Sequence, residues 1–300
     1  MEWIDAVRAE KDKDIPMKIA LTGSSGKLGS VVARELRAAG HDVIGLDIHG
    51  SRGPGFVQVD LTDYGQVIDA LAGVNDQHDG VDALVHLAAI PAPGIRSDIA
   101  TFHNNMTSTF NVFWAATRLG IDRIVYASSE TVLGLPFDVP PPYIPVDEAY
   151  APRPESVYSL VKTLEEQLAR ELVRWNPTLS ITALRFSNVM VPEDYAAFPF
   201  DADARTRKWN LWGYIDARDG AQAVQRALER APAGFDVFII AAADTVMTRP
   251  NAELVAEVFP GVETRGDLGE HTTLLSIDKA RRLLGYEPQH SWRDVADGEA

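Results

Sequence analysis

Between Met17 and Val189, short apolar runs alternate with stretches of helical period, and this limits the fold more than any other feature of the chain. Lys18-Ile19-Ala20-Leu21-Thr22 is the first apolar run, and it ends in a Gly-rich turn. Leu28 to Ala39 then has helical spacing and stops at Gly40, a residue that ends helices well. Further strands are predicted at Asp42 to Asp47, Val57 to Val59, Ala83 to Leu87, Ile124 to Ala127 and Ser180 to Leu184. Helices are predicted between them at Tyr64 to Leu71, Asn105 to Leu119 and Tyr158 to Trp175. Most of the strands are apolar on both faces. Such strands belong inside a parallel sheet covered by helices on each side, so the expected class is α/β with a doubly wound sheet.

Beyond Val189 the pattern is less regular. Pro192 to Asn210 has little periodicity and several aromatics, which predicts a loop-rich segment. Helices are expected at Asp219 to Arg230, Asn251 to Phe259 and Ile277 to Leu284, with a strand at Asp236 to Ala242. The Pro-rich stretch Leu135 to Pro145 follows a strand and is expected as a loop at the mouth of a site.

Composition removes several function classes. The net charge is −15, which disfavours nucleic acid and anionic membranes, because both need clustered Lys and Arg. The chain has no cysteine, so disulfides, thiolate catalysis and Cys-based zinc sites are excluded. Its seven histidines show no HExxH or tight pairing, so no metal site is expected. No apolar run approaches the ~20 residues a membrane span needs. Met1 to Asp14 is charged and lacks the apolar centre of a signal peptide, so a cytoplasmic protein is expected.

Thr22-Gly23-Ser24-Ser25-Gly26-Lys27-Leu28-Gly29 joins the first strand to the first helix with the spacing G-x-x-G-x-x-G. In that setting, glycines let the backbone approach a pyrophosphate, and the helix start offers free N–H groups. Lys27 is not a Walker lysine, since G-x-x-x-x-G-K-[ST] is absent, and an ATPase reading fails. Asp47 ends the second strand, where a carboxylate can accept hydrogen bonds from ribose hydroxyls. It would repel a 2′-phosphate, which favours NAD over NADP, with Arg52 as the opposing feature. Asp60-Leu61 follows the third strand and can hold the adenine edge. The predicted fold is thus a Rossmann-type doubly wound parallel sheet with a small C-terminal substrate-binding lobe. Residues 1–16 form an N-terminal extension, in which Trp3, Ile4 and Val7 have helical spacing. Residues 17–189 form the NAD-binding domain, and 190–300 the lobe, with some elements returning to the sheet.

Tyr158-Ser159-Leu160-Val161-Lys162 places a phenol and an amine four residues apart, on one helix face. An ammonium and a nicotinamide cation nearby favour the phenolate, so Tyr158 is expected to act as a base near neutral pH. Ser128-Ser129 follow the fifth strand, and strand carboxyl ends are where ligands bind in open α/β sheets. A hydroxyl there can hold the substrate oxygen while Tyr158 takes its proton.

This order of features resembles the extended short-chain dehydrogenase/reductases, the NAD-dependent epimerase/dehydratase family, from Met17 nearly to the C-terminus. The matching pieces include TGSSGKLG, DLTD at 60–63, HLAA at 86–89, NNMTSTFNV at 104–112, YASSETVLG at 126–134, YSLVK at 158–162, RFSNV at 185–189 and SIDKARRLLGYEP at 276–288. The resemblance implies that Ser129, Tyr158 and Lys162 are the catalytic trio. It implies a pyrophosphate turn of Gly23, Ser25, Gly26, Lys27, Leu28 and Gly29, with Asp47, Asp60, Leu61, Leu87, Ala88, Ala89 and Asn105 on the cofactor side. Tyr158 and Lys162 also touch the cofactor in this reading. Ser128, Ser129, Glu130, Ser187 and Asn188 fall on the substrate side. It also implies NAD as cofactor and a homodimer through the helices that begin near Asn105 and Ser156.

The reaction is less legible. Family 4,6-dehydratases resemble Thr-Asp-Glu at the serine, whereas Ser129-Glu130-Thr131 stands here without the second acid. The 4-epimerases resemble Ser-x-x-Val-Tyr-Gly, and Leu133 replaces that tyrosine. The arginine that commonly holds a diphosphate before the late YID motif is absent, with Leu211-Trp212-Gly213 in its place. A 4-epimerase-type enzyme acting on a sugar or nucleotide-linked sugar through a keto intermediate is the first expectation. A sugar or uronate dehydrogenase is the second, with Trp209, Trp212 and Tyr214 as ring-stacking candidates. A non-catalytic dinucleotide-binding regulator is the third.

Overall fold

The computed structural model describes residues 16–230 and 233–296. Its strands are β1 (Lys18–Thr22), β2 (Asp42–Asp47), β3 (Phe56–Gln58), β4 (Ala83–His86), β5 (Arg123–Ser129), β6 (Tyr143–Ile144), β7 (Ser180–Phe186), β8 (Val189–Met190), β9 (Ile215–Asp216), β10 (Gly234–Ile240) and β11 (Glu263–Thr264). Its helices are α1 (Lys27–Ala38), α2 (Tyr64–Ala72), α3 (Asp98–Leu119), α4 (Val157–Trp175), α5 (Ala217–Arg230), α6 (Asn251–Val258), α7 (Asp278–Leu284) and α8 (Trp292–Ala296). The predicted helix around Trp3, Ile4 and Val7 lies outside the described residues.

Seven parallel strands pair in the order β10-β7-β5-β4-β1-β2-β3, the doubly wound Rossmann-type arrangement. Ile19 of β1 sits between Val43 and Ala83, so the winding direction reverses between β1 and β4. The connections leaving those two strands diverge and open a crevice at their carboxyl ends.

Side-chain alternation explains why both faces need helices. Ile19, Leu21, Ala83, Val85, Val125 and Leu184 point into one buried cluster. Ala20, Leu84, Ile124, Tyr126, Ile181 and Ala183 point into the other. A period of two along doubly buried strands divides the core this way.

Some elements differ from their sequence expectations. Helix α3 starts at Asp98, seven residues before Asn105, because Ser97 caps it by accepting the Ala100 N–H. Its opening turns carry Ile99, which is 69% exposed, so their apolar residues do not mark a buried stripe. Residues 192–210 contain two short 3-10 helices, Pro192–Ala197 and Ala204–Asn210. Strand β10 begins at Gly234 and pairs with β7 from Ser180 through Phe186. The pairs β8–β9 and β6–β11 lie outside the main sheet. No helix among the described residues is long and apolar enough to cross a membrane.

Candidate active site

A cavity of about 1080 Å³ is lined from the carboxyl ends of β1, β2, β4, β5 and β7. At one end lies the Gly-rich turn. Gly23 has φ +71°, and its carbonyl accepts the Gly26 N–H at 3.0 Å. A Cβ on Gly23 would stand 2.7 Å from the Ala88 nitrogen, and one on Gly29 only 2.0 Å from the Gly23 oxygen. The turn therefore closes only without side chains at these two positions. It leads straight into α1, whose first-turn N–H groups lack intrahelical partners and suit an anion. Asp47 is fixed beside it, its two carboxylate oxygens accepting the Ser25 N–H at 3.0 Å and the His49 N–H at 3.1 Å.

The other end lies at β5, two strand spacings from the turn after β1 and three from Asp47 on β2, the latter about 14 Å across the sheet. Ser129 ends β5, and its hydroxyl accepts from the Thr131 N–H and hydroxyl at 3.2 and 3.0 Å. Ser156 and Ser159 form a reciprocal capping box that starts α4, which sets Tyr158 in the first turn and Lys162 one turn on. Lys162 Nζ lies 5.9 Å from the Tyr158 ring centre, and Ser129 and Tyr158 line the same cavity. Burial pushes the phenol above the ordinary tyrosine value, although Lys162 and Ser129 oppose it. The sequence led us to expect a phenol activated by its lysine. In the protein alone burial wins, and the ammonium is shared with a carboxylate.

That carboxylate is Glu165. Lys162 Nζ donates to it at 2.8 Å and to the Ala127 carbonyl at 2.9 Å. Burial pulls the amine down, but Glu165 and Tyr158 outweigh it and hold Lys162 above the usual lysine value. The Thr109 hydroxyl donates to Glu165 at 2.9 Å, and His86 bridges Thr109 at 3.0 Å and Thr22 at 2.7 Å. Burial, with help from Lys162, depresses His86 to about 3 and keeps it neutral. The neighbouring Glu166 takes a bidentate pair of bonds from Arg185 at 2.9 and 2.8 Å and one from Ser128 at 2.7 Å.

Glu130 lines the cavity next to Ser129 and is almost fully buried. Ser187 donates to one carboxylate oxygen at 2.6 Å, and Asn210 to the other at 3.2 Å. Burial raises its pKa to about 7 despite these donors.

The cavity brings together every sequence-predicted site residue except Asn105. Asn105 instead ties down the loop after β4, accepting from the Ile90 N–H at 2.8 Å and donating to the Ile90 carbonyl at 3.0 Å. Asn104 lines the cavity beside it. Of the proposed ring-stacking residues, Trp209 lines the cavity, while Trp212 and Tyr214 are fully buried core. Leu135 and Pro136 line the mouth as expected of that loop, but Phe137, Tyr143 and Ile144 turn into the core. The Glu165 network was missed in the sequence; its one signal is a pair of acids on α4 just after Lys162.

The profile of the NAD dependent epimerase/dehydratase family matches residues 19–241. The chain belongs to that family. NAD is its cofactor, and the side-chain-free turn at Gly23 and Gly29 with the anchored Asp47 fits such a group. Among relatives, UDP-glucose 4-epimerase of Bacillus subtilis is 28% identical over 57% of this chain, and the matched part spans only 52% of that enzyme. L-arabinose 1-dehydrogenase (NAD(P)(+)) of Haloferax volcanii is 25% identical over 93% of this chain and 99% of its own length. A short-chain dehydrogenase/reductase superfamily protein from Agrobacterium tumefaciens, solved with bound NAD, superposes with a TM-score of 0.70 at 24% identity, covering 94% of this chain and 95% of its own; that likeness is one of fold.

Proposed function

We propose that the chain is an NAD-dependent sugar oxidoreductase of the epimerase type, working through a keto intermediate. One observation carries this reading: Ser129, Tyr158 and Lys162 line the same cavity as the Gly-rich turn, at the far end from Asp47. Gly23, Gly26 and Gly29 would hold the pyrophosphate and Asp47 the adenosine ribose. NAD, when bound, would supply the hydride acceptor. Ser129 holds the reacting hydroxyl by a hydrogen bond. Tyr158 would take its proton as the carbinol carbon is oxidised to a ketone, with the cofactor as the hydride acceptor. Lys162 would stabilise the phenolate and help to hold the cofactor. In an epimerase the proton returns from Tyr158 and the hydride to the opposite face of the turned ketone.

Net oxidation by a sugar dehydrogenase is the second reading, favoured by the arabinose dehydrogenase likeness over nearly the whole chain. Protein purified and scanned near 340 nm, then incubated with sugars and added NAD, tests the pair. Isomer formation without NADH accumulation supports the epimerase; stoichiometric NADH supports the dehydrogenase. NAD binding without turnover of any sugar would leave only a dinucleotide-binding regulator.

We also read the chain as a cytoplasmic homodimer. Phe110 on α3 and Leu160 and Leu164 on α4 are each about two-fifths exposed, and Phe110 stacks on Trp114 at 6.2 Å. Apolar side chains on adjoining helices suit a second copy of the chain.

A further inference from the structure

The charge distribution of the cavity bears on which sugars it accepts. Two lysines line it among the described residues, and both are engaged. Lys27 stands at the start of α1 and pairs with Asp194 at 2.8 Å. Lys162 is buried and pairs with Glu165 at 2.8 Å. His49 lies beside Asp47, at the opposite end from Ser129. Around Ser129 the lining is acidic or neutral: Glu130, Glu155, Ser187, Asn188 and Trp209. Glu155 already accepts from Arg153 at 2.7 Å. Arg207 does not line the cavity; it is buried between Phe200 and Trp209, with its guanidinium 5.0 and 4.9 Å from their ring centres, and it donates to the Gly213 carbonyl.

A sugar diphosphate or a uronate would bring negative charge to this end, where no unpaired Lys or Arg among the described residues lines the cavity, Arg207 acts on Glu130 from behind the wall, and Glu130 itself is close by. Desolvating an anion without a counter-charge is costly, and a like charge adds to the cost. Hydroxyl groups meet no such barrier. Each Glu130 oxygen accepts one protein hydrogen bond and has capacity for another, and the Ser129 and Ser187 hydroxyls lie on the same wall. Trp209 supplies an apolar face for a ring.

We infer that the substrate is a neutral, polyhydroxylated free sugar and that Glu130 sets this preference by hydrogen bonding substrate hydroxyls and, when ionised, repelling anionic substituents. The inference rests on the sugar-oxidoreductase reading above and names its substrate class.

The test uses full-length protein saturated with NAD at pH 8, above the value of about 7 at which Glu130 ionises. Neutral aldoses, the corresponding uronates and UDP-hexoses are compared by turnover and by quenching of tryptophan fluorescence, with UDP alone titrated calorimetrically. The expected result is kcat/KM at least about 100-fold higher for a neutral aldose than for either anionic class, with no UDP binding at millimolar concentration. Glu130→Gln should shift the uronate-to-aldose ratio of kcat/KM toward the uronate by about tenfold. UDP binding in the micromolar range, or preferred turnover of UDP-hexoses or uronates, overturns the inference while leaving the oxidoreductase reading intact. A neutral aldose that binds but exchanges no hydride with NAD overturns that reading and leaves the substrate class standing.

Discussion

Lys162 and Glu165 form an ion pair at 2.8 Å with side chains only 3% and 0% exposed. The catalytic candidate amine is therefore neutralised from behind, and Glu165 itself pushes the Tyr158 phenol up. In Glu165→Gln the amide still accepts from Thr109, and the carboxylate charge that pushed the Tyr158 phenol up is gone. The pH at which kcat/KM rises should then move lower, and phenolate absorbance near 295 nm should appear at lower pH. Stability should fall by about 3–5 kcal/mol, because a buried lysine loses its counter-charge. A folded variant with an unmoved pH profile would show that Glu165 only supports the fold.

Tyr158→Phe removes the proton acceptor and little else, since the ring remains to pack in its buried place. Turnover should drop by about 10²–10⁴-fold while NAD affinity, measured by calorimetry, changes little.

How far the site was legible in the sequence follows from how each part is encoded. The Gly turn, Asp47, Ser129 and the Tyr158–Lys162 pair are local patterns at element ends, where spacing fixes position, and they line one cavity. Strand existence was equally legible, because doubly buried strands leave unbroken apolar runs such as Ala83–His86. Long-range partners were not. Thr109, His86 and Glu165 are brought together only by the packing of α3 and α4 against β4, and nothing near them in sequence announces it. Trp209, Trp212 and Tyr214 could not be sorted in advance, because a run of aromatics looks alike whether it faces a ligand or a core; Trp212 and Tyr214 are fully buried. Asn105 was misplaced by a single position, since one step along a helix turns a side chain by about 100°.

Gly29→Ala tests the cofactor turn. Its new methyl would lie 2.0 Å from the Gly23 carbonyl oxygen, so the turn must open or α1 must shift. Overpacking of this kind costs about 1–3 kcal/mol. Taken from cofactor binding, the upper end of that range means roughly 100-fold weaker NAD affinity. A Kd equal to that of the parent would remove the turn from the cofactor site.

Charged residues on the exposed face of α3 and α4 should separate the proposed dimer. Phe110→Glu combined with Leu160→Glu places acids where an apolar surface meets its copy, and both positions are exposed enough to leave the monomer folded. Light scattering should give twice the 32.8 kDa chain mass for the parent and a single chain mass for the variant. A parent that is monomeric at micromolar concentration would remove the dimer reading.

Glu130 should make stability depend on pH in a direction opposite to that of a salt-bridged acid. Burial raises its carboxyl from 4.5 to about 7 in the folded chain, so between those values the folded state keeps a proton that the unfolded chain has released. Stability from this group is complete below pH 4.5 and is lost as pH rises to about 7, by about 3 kcal/mol in all. Glutamine cannot ionise and escapes that loss while still accepting from Ser187. Denaturant melts at a series of pH values should therefore show Glu130→Gln gaining on the parent from pH 4.5 upward and holding a constant advantage above about 7. A gap that instead widens toward acid would mean that the folded protein holds Glu130 as a stabilised anion, contrary to its burial.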